Sequence, residues 1–229
     1  MPPEPIFTRE CFRFFGDLGR NNRKEWMDEN RARYRACVVE PFRRLCDELT
    51  PAVKRLDPNF VVSGRTNENF SRINRDIRFA NDKSPYRTQM YLKFSGPAAK
   101  KDGDGELYIG LTTGAVTAGF RSYFGSRRSM LARFGIPRAR ENPGWIERQQ
   151  RRIGKHYQSY WYSNYKGQWT KHPGWPTALD DWKKLKAWIV RRKFAPAFAT
   201  RSGFVGEAEK IFREVYPLYH FTSSPDWKP

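Results

Sequence analysis

The apolar residues of this chain change their spacing near residue 58, and this change limits the folds that the chain can adopt. Before it, apolar and aromatic residues recur every three or four positions, which is the spacing of an amphipathic helix. After it, short apolar runs are separated by turns that contain Gly, which is typical of strands. The helical stripe consists of Trp26, Tyr34, Cys37, Val38, Phe42, Leu45 and Leu49. This order predicts an α+β protein.

The N-terminal part, residues 1–58, is predicted to be helical. A first helix should begin after Thr8 as N-cap and end near Gly19. A second, long helix should begin at Asn22, because Asn22 followed by Glu25 resembles a capping box. Pro41 within its stripe predicts a kink or a break at Glu40. The prolines of residues 51–58 are predicted to close this helical part.

Residues 59–125 are predicted to be rich in strands. Because their connections are short, we expect an antiparallel meander. Residues 100–105 are predicted to be a loop at a hairpin tip. The predicted strands are residues 60–64, 90–94, 107–111 and 116–120. The whole chain, residues 1–229, is therefore predicted to be a single domain in which an antiparallel sheet is flanked by amphipathic helices.

The C-terminal part, residues 126–229, is predicted to be helical with an aromatic insert at residues 156–176. One helix should start at Asn142, one should span residues 177–193, and one should span residues 206–216 and end at Pro217. We expect the tail from residue 222 to be frayed. Aromatic rings interleaved with cations in the insert are typical of base or sugar stacking. A loop-rich core packed around Trp side chains is the alternative.

The formal net charge of +19 favours a polyanionic partner, of which nucleic acid is one. No apolar run approaches the roughly 20 residues that a membrane span needs, and the N-terminus lacks the pattern of a signal peptide. Cys11, Cys37 and Cys46 form no spaced motif. We therefore expect free thiols in a cytoplasmic protein that does not enter a membrane.

Residues 70–87 form the segment with the densest charge, and we call them the Arg-rich segment. Ionic side chains alternate there with Ile73, Ile77 and Phe79, which favour burial. The pattern fits a strand or a helix, and in both an Asp lies among several guanidinium groups. Such a cluster can hold the Asp by paired hydrogen bonds, or it can bind a phosphate or carboxylate in the same geometry.

The Arg-rich segment supplies the candidate site residues. The candidates for ligand binding are Arg72, Arg75, Arg78, Lys83, Tyr86 and Arg87. The candidates for catalysis are Asp76, Asp82 and Lys83, since an Asp can act as a general base while an Arg holds an anionic group. Three hypotheses stay open: binding of nucleic acid or another anionic ligand, an enzyme acting on a phosphorylated or anionic small substrate, and a purely structural ion-pair cluster.

Neither a metal site nor a cofactor is expected. His156, His172 and His220 are isolated in the sequence, and no pair of ligands has the spacing of a zinc site. Walker, dinucleotide-binding and Gly-x-Ser-x-Gly motifs are not present.

The Arg-rich segment also carries a family resemblance. Residues 70–79 read Phe-Ser-Arg-Ile-Asn-Arg-Asp-Ile-Arg-Phe, and residues 82–87 read Asp-Lys-Ser-Pro-Tyr-Arg. These runs resemble the signature of the domain-of-unknown-function family numbered 2461, in which Thr stands at the position of Ser84 and Lys at that of Arg87. The aromatic residues between Phe12 and Tyr34 resemble the opening of that family. The resemblance implies a mixed α and β domain and implies no activity.

Overall fold

The computed structural model describes residues 4–97, 105–124 and 129–228. The predicted loop at residues 100–105 lies outside the described residues except for Gly105. In chain order, the elements are α1 (Arg9–Arg20), α2 (Lys24–Glu29), α3 (Arg31–Tyr34), a π-helical turn (Arg35–Val39), α4 (Glu40–Leu56), β1 (Gln89–Phe94), β2 (Gly105–Thr112), β3 (Val116–Tyr123), a second π-helical turn (Leu131–Gly135), α5 (Ile136–Glu141), α6 (Trp145–Ile153), β4 (Gln158–Tyr165), β5 (Gln168–Pro173), α7 (Leu179–Lys184), β6 (Leu185–Phe194), α8 (Pro196–Ala199) and α9 (Phe204–Ser223).

Six strands form one antiparallel sheet in the order β1-β2-β3-β6-β4-β5. Three of the four strands predicted between residues 60 and 120 are observed, as β1, β2 and β3. Their order in the sheet follows the chain, as the short connections between them predicted. Together with the helices, this sheet confirms the predicted α+β class.

The chain divides into two compact units, each built from three stretches of sequence. The first unit comprises Met1–Phe94, Ile109–Thr117 and Lys193–Glu209. Its core is aromatic: the ring of Phe7 lies 5.4 Å from that of Phe42 and 5.6 Å from that of Phe204. The apolar face predicted for α1 is buried there, and α1 begins after Thr8 as predicted.

The second unit comprises Ser95–Tyr108, Ala118–Arg192 and Lys210–Pro229. Its core surrounds Trp188, whose ring lies between 5.5 and 5.9 Å from those of Phe120, Trp175 and Trp182. The largest fully buried side chains of the protein are aromatic, among them Trp182 and Trp188 of this unit.

The long helix predicted from Asn22 is interrupted at Asn30, after which the backbone stays helical from α3 through the π-helical turn to α4. The π-helical turn Arg35–Val39 precedes α4, which begins at Glu40 and carries Pro41 in its first turn. A kink or a break at Glu40 was predicted, because Pro disrupts a helix interior. Glu40 itself has helical dihedral angles, and the irregularity observed is the π-helical turn that ends just before it. The helical part was predicted to close within residues 51–58, and α4 ends there at Leu56, after continuing through Pro51.

Residues 60–64 were predicted to be a strand and are not one. The carbonyl oxygen of Val61 accepts a hydrogen bond from the side-chain amide of Asn69 at 2.7 Å. A local side chain therefore satisfies backbone that the strand prediction assigned to a sheet.

The helix predicted for residues 177–193 was wrong over most of its length. Only α7 is helical, and the following ten residues form β6, which lies between β3 and β4. Most of β6 is buried on both faces, so its nearly continuous apolar run matched a helical spacing by chance. The aromatic insert is the β4–β5 hairpin and not a set of loops.

The last helix is longer than predicted. Pro217 lies inside α9, which ends at Ser223. The predicted fraying of residues 222–224 was also wrong, since Thr222, Ser223 and Ser224 are buried. Arg138 holds this end, donating at 2.8 Å to the carbonyl oxygens of both Phe221 and Ser224. In the described part of the chain, no helix combines the length and apolar character that a membrane crossing requires.

Candidate functional site

The Arg-rich segment folds back on itself as a short antiparallel ladder. The amide of Arg87 donates to the carbonyl oxygen of Ile73 at 2.7 Å, and the amide of Arg75 donates to that of Pro85 at 2.8 Å. The amide of Ser71 bonds the carbonyl oxygen of Tyr91 in β1 at 3.0 Å. Residues 76–84 therefore form a loop at the end of the ladder, which we call the loop tip. The helical interpretation of this segment was wrong.

Asn22 attaches this ladder to the N-terminal helices. Its side chain donates to the carbonyl oxygen of Tyr86 at 2.9 Å and accepts from the Tyr86 amide at 3.0 Å. The prediction of Asn22 as a helix N-cap was wrong, since α2 has Arg23 at that position. The Asn22 side chain thus bonds both the amide and the carbonyl oxygen of Tyr86, as the backbone of a neighbouring strand would.

Asn69 fixes the start of the segment. It is fully buried and accepts from the Gly64 amide at 3.0 Å. It donates to the carbonyl oxygens of Val61 and Lys93 at 2.7 and 2.9 Å. Three stretches of backbone are thereby joined by one side chain, which positions Arg65 next to the ladder. Neither Asn22 nor Asn69 was predicted to belong to the site.

The carboxylates of the loop tip are paired within the tip. Asp76 accepts from Nε and Nη2 of Arg78 at 2.9 and 2.7 Å, and Asp82 pairs with Arg75. The hydrogen bond from Arg78 lowers the pKa of Asp76. Hydrogen bonds from Ser84, followed by that from Arg75, lower the pKa of Asp82 far below its usual range. Lys83 donates to the carbonyl oxygen of Ile77 at 3.1 Å.

Three arginines differ from these paired residues. Arg65, Arg72 and Arg87 are exposed, and their side chains make no ion pair or hydrogen bond with any residue that the structure describes. Their guanidinium donors are therefore available to a ligand or to water. Arg72 and Arg87 are among the predicted ligand-binding residues, whereas Arg65 was not predicted.

Two clefts of about 600 Å³ each meet at Arg72. The first contains three arginines and no carboxylate among its lining residues, which include Arg43, Arg65, Arg72, Ser71 and Asn74. The second is lined by four arginines and one carboxylate, namely Arg72, Arg75, Arg78, Arg87 and Asp76, together with neutral residues. We call the arginines of the two clefts the basic track: Arg43, Arg65, Arg72, Arg75, Arg78 and Arg87. The track lies wholly within the first unit.

Residues 10–221 match the model of the protein family described as "Conserved hypothetical protein (DUF2461)". This match spans most of the chain. The protein belongs to the DUF2461 family. No curated protein matches the sequence at a significant level. The family description names no reaction or ligand, so the chemistry of this DUF2461 protein has to be argued from its own side chains.

Tyr86 and Lys83 are the two predicted ligand-binding residues of this DUF2461 protein that line neither of the two clefts. The side chain of Tyr86 is buried, and the residue lines a smaller cleft of about 350 Å³ with Asn22, Asp82 and Arg87. Lys83 is exposed at the loop tip. The structure therefore brings four of the six predicted ligand-binding residues, Arg72, Arg75, Arg78 and Arg87, into one cleft.

Phe79 occupies an unexpected position at the loop tip. Its pattern predicted burial, but 95% of its surface is exposed, with the guanidinium of Arg78 5.8 Å from the ring centre. Ile73, in the same pattern, is buried as predicted. The alternating spacing alone could not distinguish Phe79 from Ile73, because it does not show that Phe79 lies in the loop tip, beyond the ladder.

Metal binding finds no support in this DUF2461 protein. Across residues 4–97, 105–124 and 129–228, no group of three or more His, Cys, Asp or Glu side chains could hold a metal ion. His172 stacks on Trp161 at 3.9 Å and hydrogen-bonds the Ser163 hydroxyl at 2.8 Å.

Proposed function

We propose that this protein binds nucleic acid through its basic track, by contacts between arginine side chains and backbone phosphates. The observation that carries the proposal is the availability of Arg65, Arg72 and Arg87, which have no partner among the described residues. Guanidinium groups match phosphate geometry and supply paired donors. The net charge of +19 adds long-range attraction for a polyanion.

The shape of the track favours a polymer over a small molecule. Sites for small molecules usually enclose most of the ligand surface. Arg65, Arg72, Arg78 and Arg87 are all exposed and extend over two clefts. A ligand with several phosphates in a row could contact all of them at once, and each contact would release counterions.

Acid–base catalysis by the predicted carboxylates is disfavoured. A general base works best when its pKa lies near the operating pH. Arg78 lowers the pKa of Asp76, and Ser84 and Arg75 lower that of Asp82. Both carboxylates are therefore weak proton acceptors that already have partners. An enzyme acting on a phosphorylated substrate would have to use other groups.

A purely structural role for the cluster is also disfavoured. The Arg78 and Asp76 side chains are 76% and 61% exposed. Ion pairs in contact with solvent contribute little to stability. Arg65, Arg72 and Arg87 form no ion pair with any residue that the structure describes, so ion pairing within the described chain does not account for them.

A cytoplasmic location forms part of this proposal. Cys11, Cys37 and Cys46 are buried free thiols, and the DNA- and RNA-containing cytoplasm keeps thiols reduced. Burial raises the pKa of Cys37 to about 12 and that of Cys46 to about 11, which makes both thiols unreactive.

Fluorescence anisotropy with labelled oligonucleotides over a salt series tests the proposal. We expect Arg72→Ala to weaken binding roughly tenfold, the size of one lost charged hydrogen bond. Arg151→Ala is the matched control, because Arg151 is an exposed arginine of α6 that lines neither cleft. Equal affinities of the two variants would overturn the assignment of the track.

The second candidate is a small phosphorylated ligand in the first cleft, favoured by its three arginines and the lack of a carboxylate there. Pyrophosphate should then bind with an affinity that Arg65→Ala and Arg72→Ala both reduce, in isothermal titration calorimetry. If pyrophosphate binds tightly while oligonucleotides do not bind, this candidate replaces the first.

A further inference from the structure

The β4–β5 hairpin at the edge of the sheet carries a second surface with the character of a ligand site. Lys166 and Gly167 form its two-residue turn with positive φ angles of 48° and 86°. Turns of this kind match the twist of the flanking strands. The amide of Gly167 also donates to the Asn164 side chain at 3.1 Å. The hairpin is therefore well defined by its own sequence.

The strand register places aromatic and cationic side chains on one face. Because side chains alternate along a strand, residues paired across strands share a face. The pairs are Tyr162 with Lys171, Asn164 with Trp169, and Gln158 with Arg191. We call the resulting surface the hairpin face, which consists of Tyr160, Tyr162, Trp169, Lys171 and Arg191.

The two faces of the hairpin differ in exposure. Trp161, on the opposite face, is buried and stacks on His172. On the hairpin face, 61% of the Trp169 surface is exposed. Burial in the core thus accounts for Trp161, whereas Trp169 on the hairpin face is in contact with solvent, as is Tyr165 near the turn on the opposite face.

The cations of the hairpin face lie against its rings. Nζ of Lys171 lies 4.3 Å from the centre of the Tyr160 ring, and the guanidinium of Arg191 lies 5.2 Å from it. No Asp or Glu occurs between Lys155 and Asp180. An approaching polyanion would therefore meet positive charge on this hairpin without a compensating carboxylate from it.

The arrangement of the rings favours a nucleic acid whose bases are not stacked on each other. The Tyr162 ring centre lies 5.9 Å from that of Tyr160 and 6.3 Å from that of Trp169. Both pairs are edge-to-face, with interplanar angles of 84° and 75°, so bases stacked on neighbouring rings cannot lie parallel to each other as they do in a duplex. Bases that contact successive rings must be unstacked from each other, as they can be in a single strand.

A protein strand is a poor fit for the same edge. Strand β5 is the last strand of the sheet, and it carries Lys171 and Pro173. Lys and Pro on an edge strand oppose pairing with another chain. This observation favours a ligand that lies on the face over one that extends the sheet.

We propose that the hairpin face binds single-stranded nucleic acid, with a base stacked on Trp169 and with Lys171 and Arg191 close to the phosphates. This inference rests on the proposed function, since it presumes that the protein binds nucleic acid. It adds two statements to the proposed function: the nucleic acid is single-stranded, and the hairpin face is a second surface that contacts it. Stacking on exposed aromatic rings tolerates any base, so the binding has little sequence preference.

The test compares Trp169→Ala, Trp169→Phe and Arg72→Ala in the full-length protein. The probes are a labelled oligo-dT strand and a labelled duplex of mixed sequence, measured by fluorescence anisotropy. Trp169→Ala should weaken oligo-dT binding about tenfold, the size of one lost base–aromatic stack. Trp169→Phe, which keeps a ring, should stay within about twofold of wild type. Neither variant should change duplex binding.

The outcomes separate this inference from the proposed function. If Arg72→Ala weakens binding but Trp169→Ala matches wild type on oligo-dT, the inference about the hairpin is overturned and the proposed function stands. Equal losses for Trp169→Ala and Trp169→Phe would also overturn it, because stacking survives in the Phe variant. If wild type binds neither probe at low salt, both proposals are wrong.

Discussion

Two ion pairs in this protein have the same chemistry and opposite surroundings. The Arg121 and Glu106 side chains, on β3 and β2, are 12% and 11% exposed. The Arg78 and Asp76 side chains, at the loop tip, are 76% and 61% exposed. Water solvates the second pair whether or not it is formed, whereas the first pair has only its protein partners. The comparison indicates that the first pair stabilises the fold and that the charges of the second remain available for binding.

The surroundings of Arg121 explain how a buried charge is held. Burial alone would lower the pKa of Arg121, but Glu106 and the neighbouring tyrosines outweigh burial and raise it. The guanidinium also lies 4.6 Å from the centre of the Tyr108 ring. Glu106 and the Tyr108 ring thus both compensate the positive charge of Arg121. The exposed arginines of the basic track need no such compensation, because water solvates them.

The largest expected effect comes from breaking the buried pair. Arg121→Ala would break the buried pair with Glu106, and breaking a buried ion pair costs about 3–5 kcal/mol. Urea denaturation measures this change in the free energy of unfolding. Arg78→Ala is the matched control and should leave the urea midpoint unchanged. Similar midpoints for the two variants would remove the distinction between the pairs.

Two apolar residues of the Arg-rich segment extend the comparison between buried and exposed side chains. Ile73→Ala should destabilise the protein by about 2–5 kcal/mol, because Ile73 is buried. Phe79→Ala should change stability by less than about 0.5 kcal/mol, because Phe79 is exposed. Thermal denaturation followed by circular dichroism measures both. A large loss for Phe79→Ala would mean that the loop tip packs in solution.

The polar scaffold of the track should show an intermediate effect. Asn69→Ala removes the partners of the Gly64 amide and of two carbonyl oxygens, all on half-buried residues, so water can replace part of these bonds and the total loss should be about 1–3 kcal/mol. We expect both lower stability and weaker oligonucleotide binding, since Asn69 positions Arg65. Lost stability with unchanged binding would show that Arg65 acts without this support.

The smallest expected effect concerns the titration of Asp82. Its pKa in the folded protein lies below the ordinary value of 3.8. Its hydrogen bonds should therefore persist at pH 3.8 and be lost only as the pH falls through the lower folded-state pKa. Ser84→Ala should raise the pKa of Asp82, because Ser84 is the largest cause of the shift. NMR titration of the Asp82 carboxyl carbon measures this change, and an unchanged pKa would contradict the assignment.

The parts of the fold that could be predicted are those with a local signal. Helix α1 and strands β1, β2 and β3 can each be recognised in the local sequence from the spacing of their apolar residues or from a neighbouring turn. Strand β6 could not be recognised, because a strand buried on both faces has a continuous apolar run that a helix can share. Helices α4 and α9 continue through Pro51 and Pro217, because their other contacts outweigh the local signal to stop.

The site was predictable in its charges and not in its scaffold. A dense Arg, Asp and Lys pattern marked the Arg-rich segment, and four of its predicted ligand-binding residues share a cleft. Asn22 bonds a residue 64 positions away, and Asn69 bonds one 24 positions away. No local pattern encodes such partners. The exposure of Phe79 depends on the same long-range pairing.

The salt dependence of oligonucleotide binding tests the central claim most directly. For single strands, the slope of log K against log salt changes by about 0.7 for each phosphate contact, and for duplex DNA by about 0.9. We predict that replacing Arg65, Arg72 and Arg87 together by Ala reduces the slope by about two to three with an unchanged urea midpoint. An unchanged slope in that variant would show that the basic track does not contact phosphates.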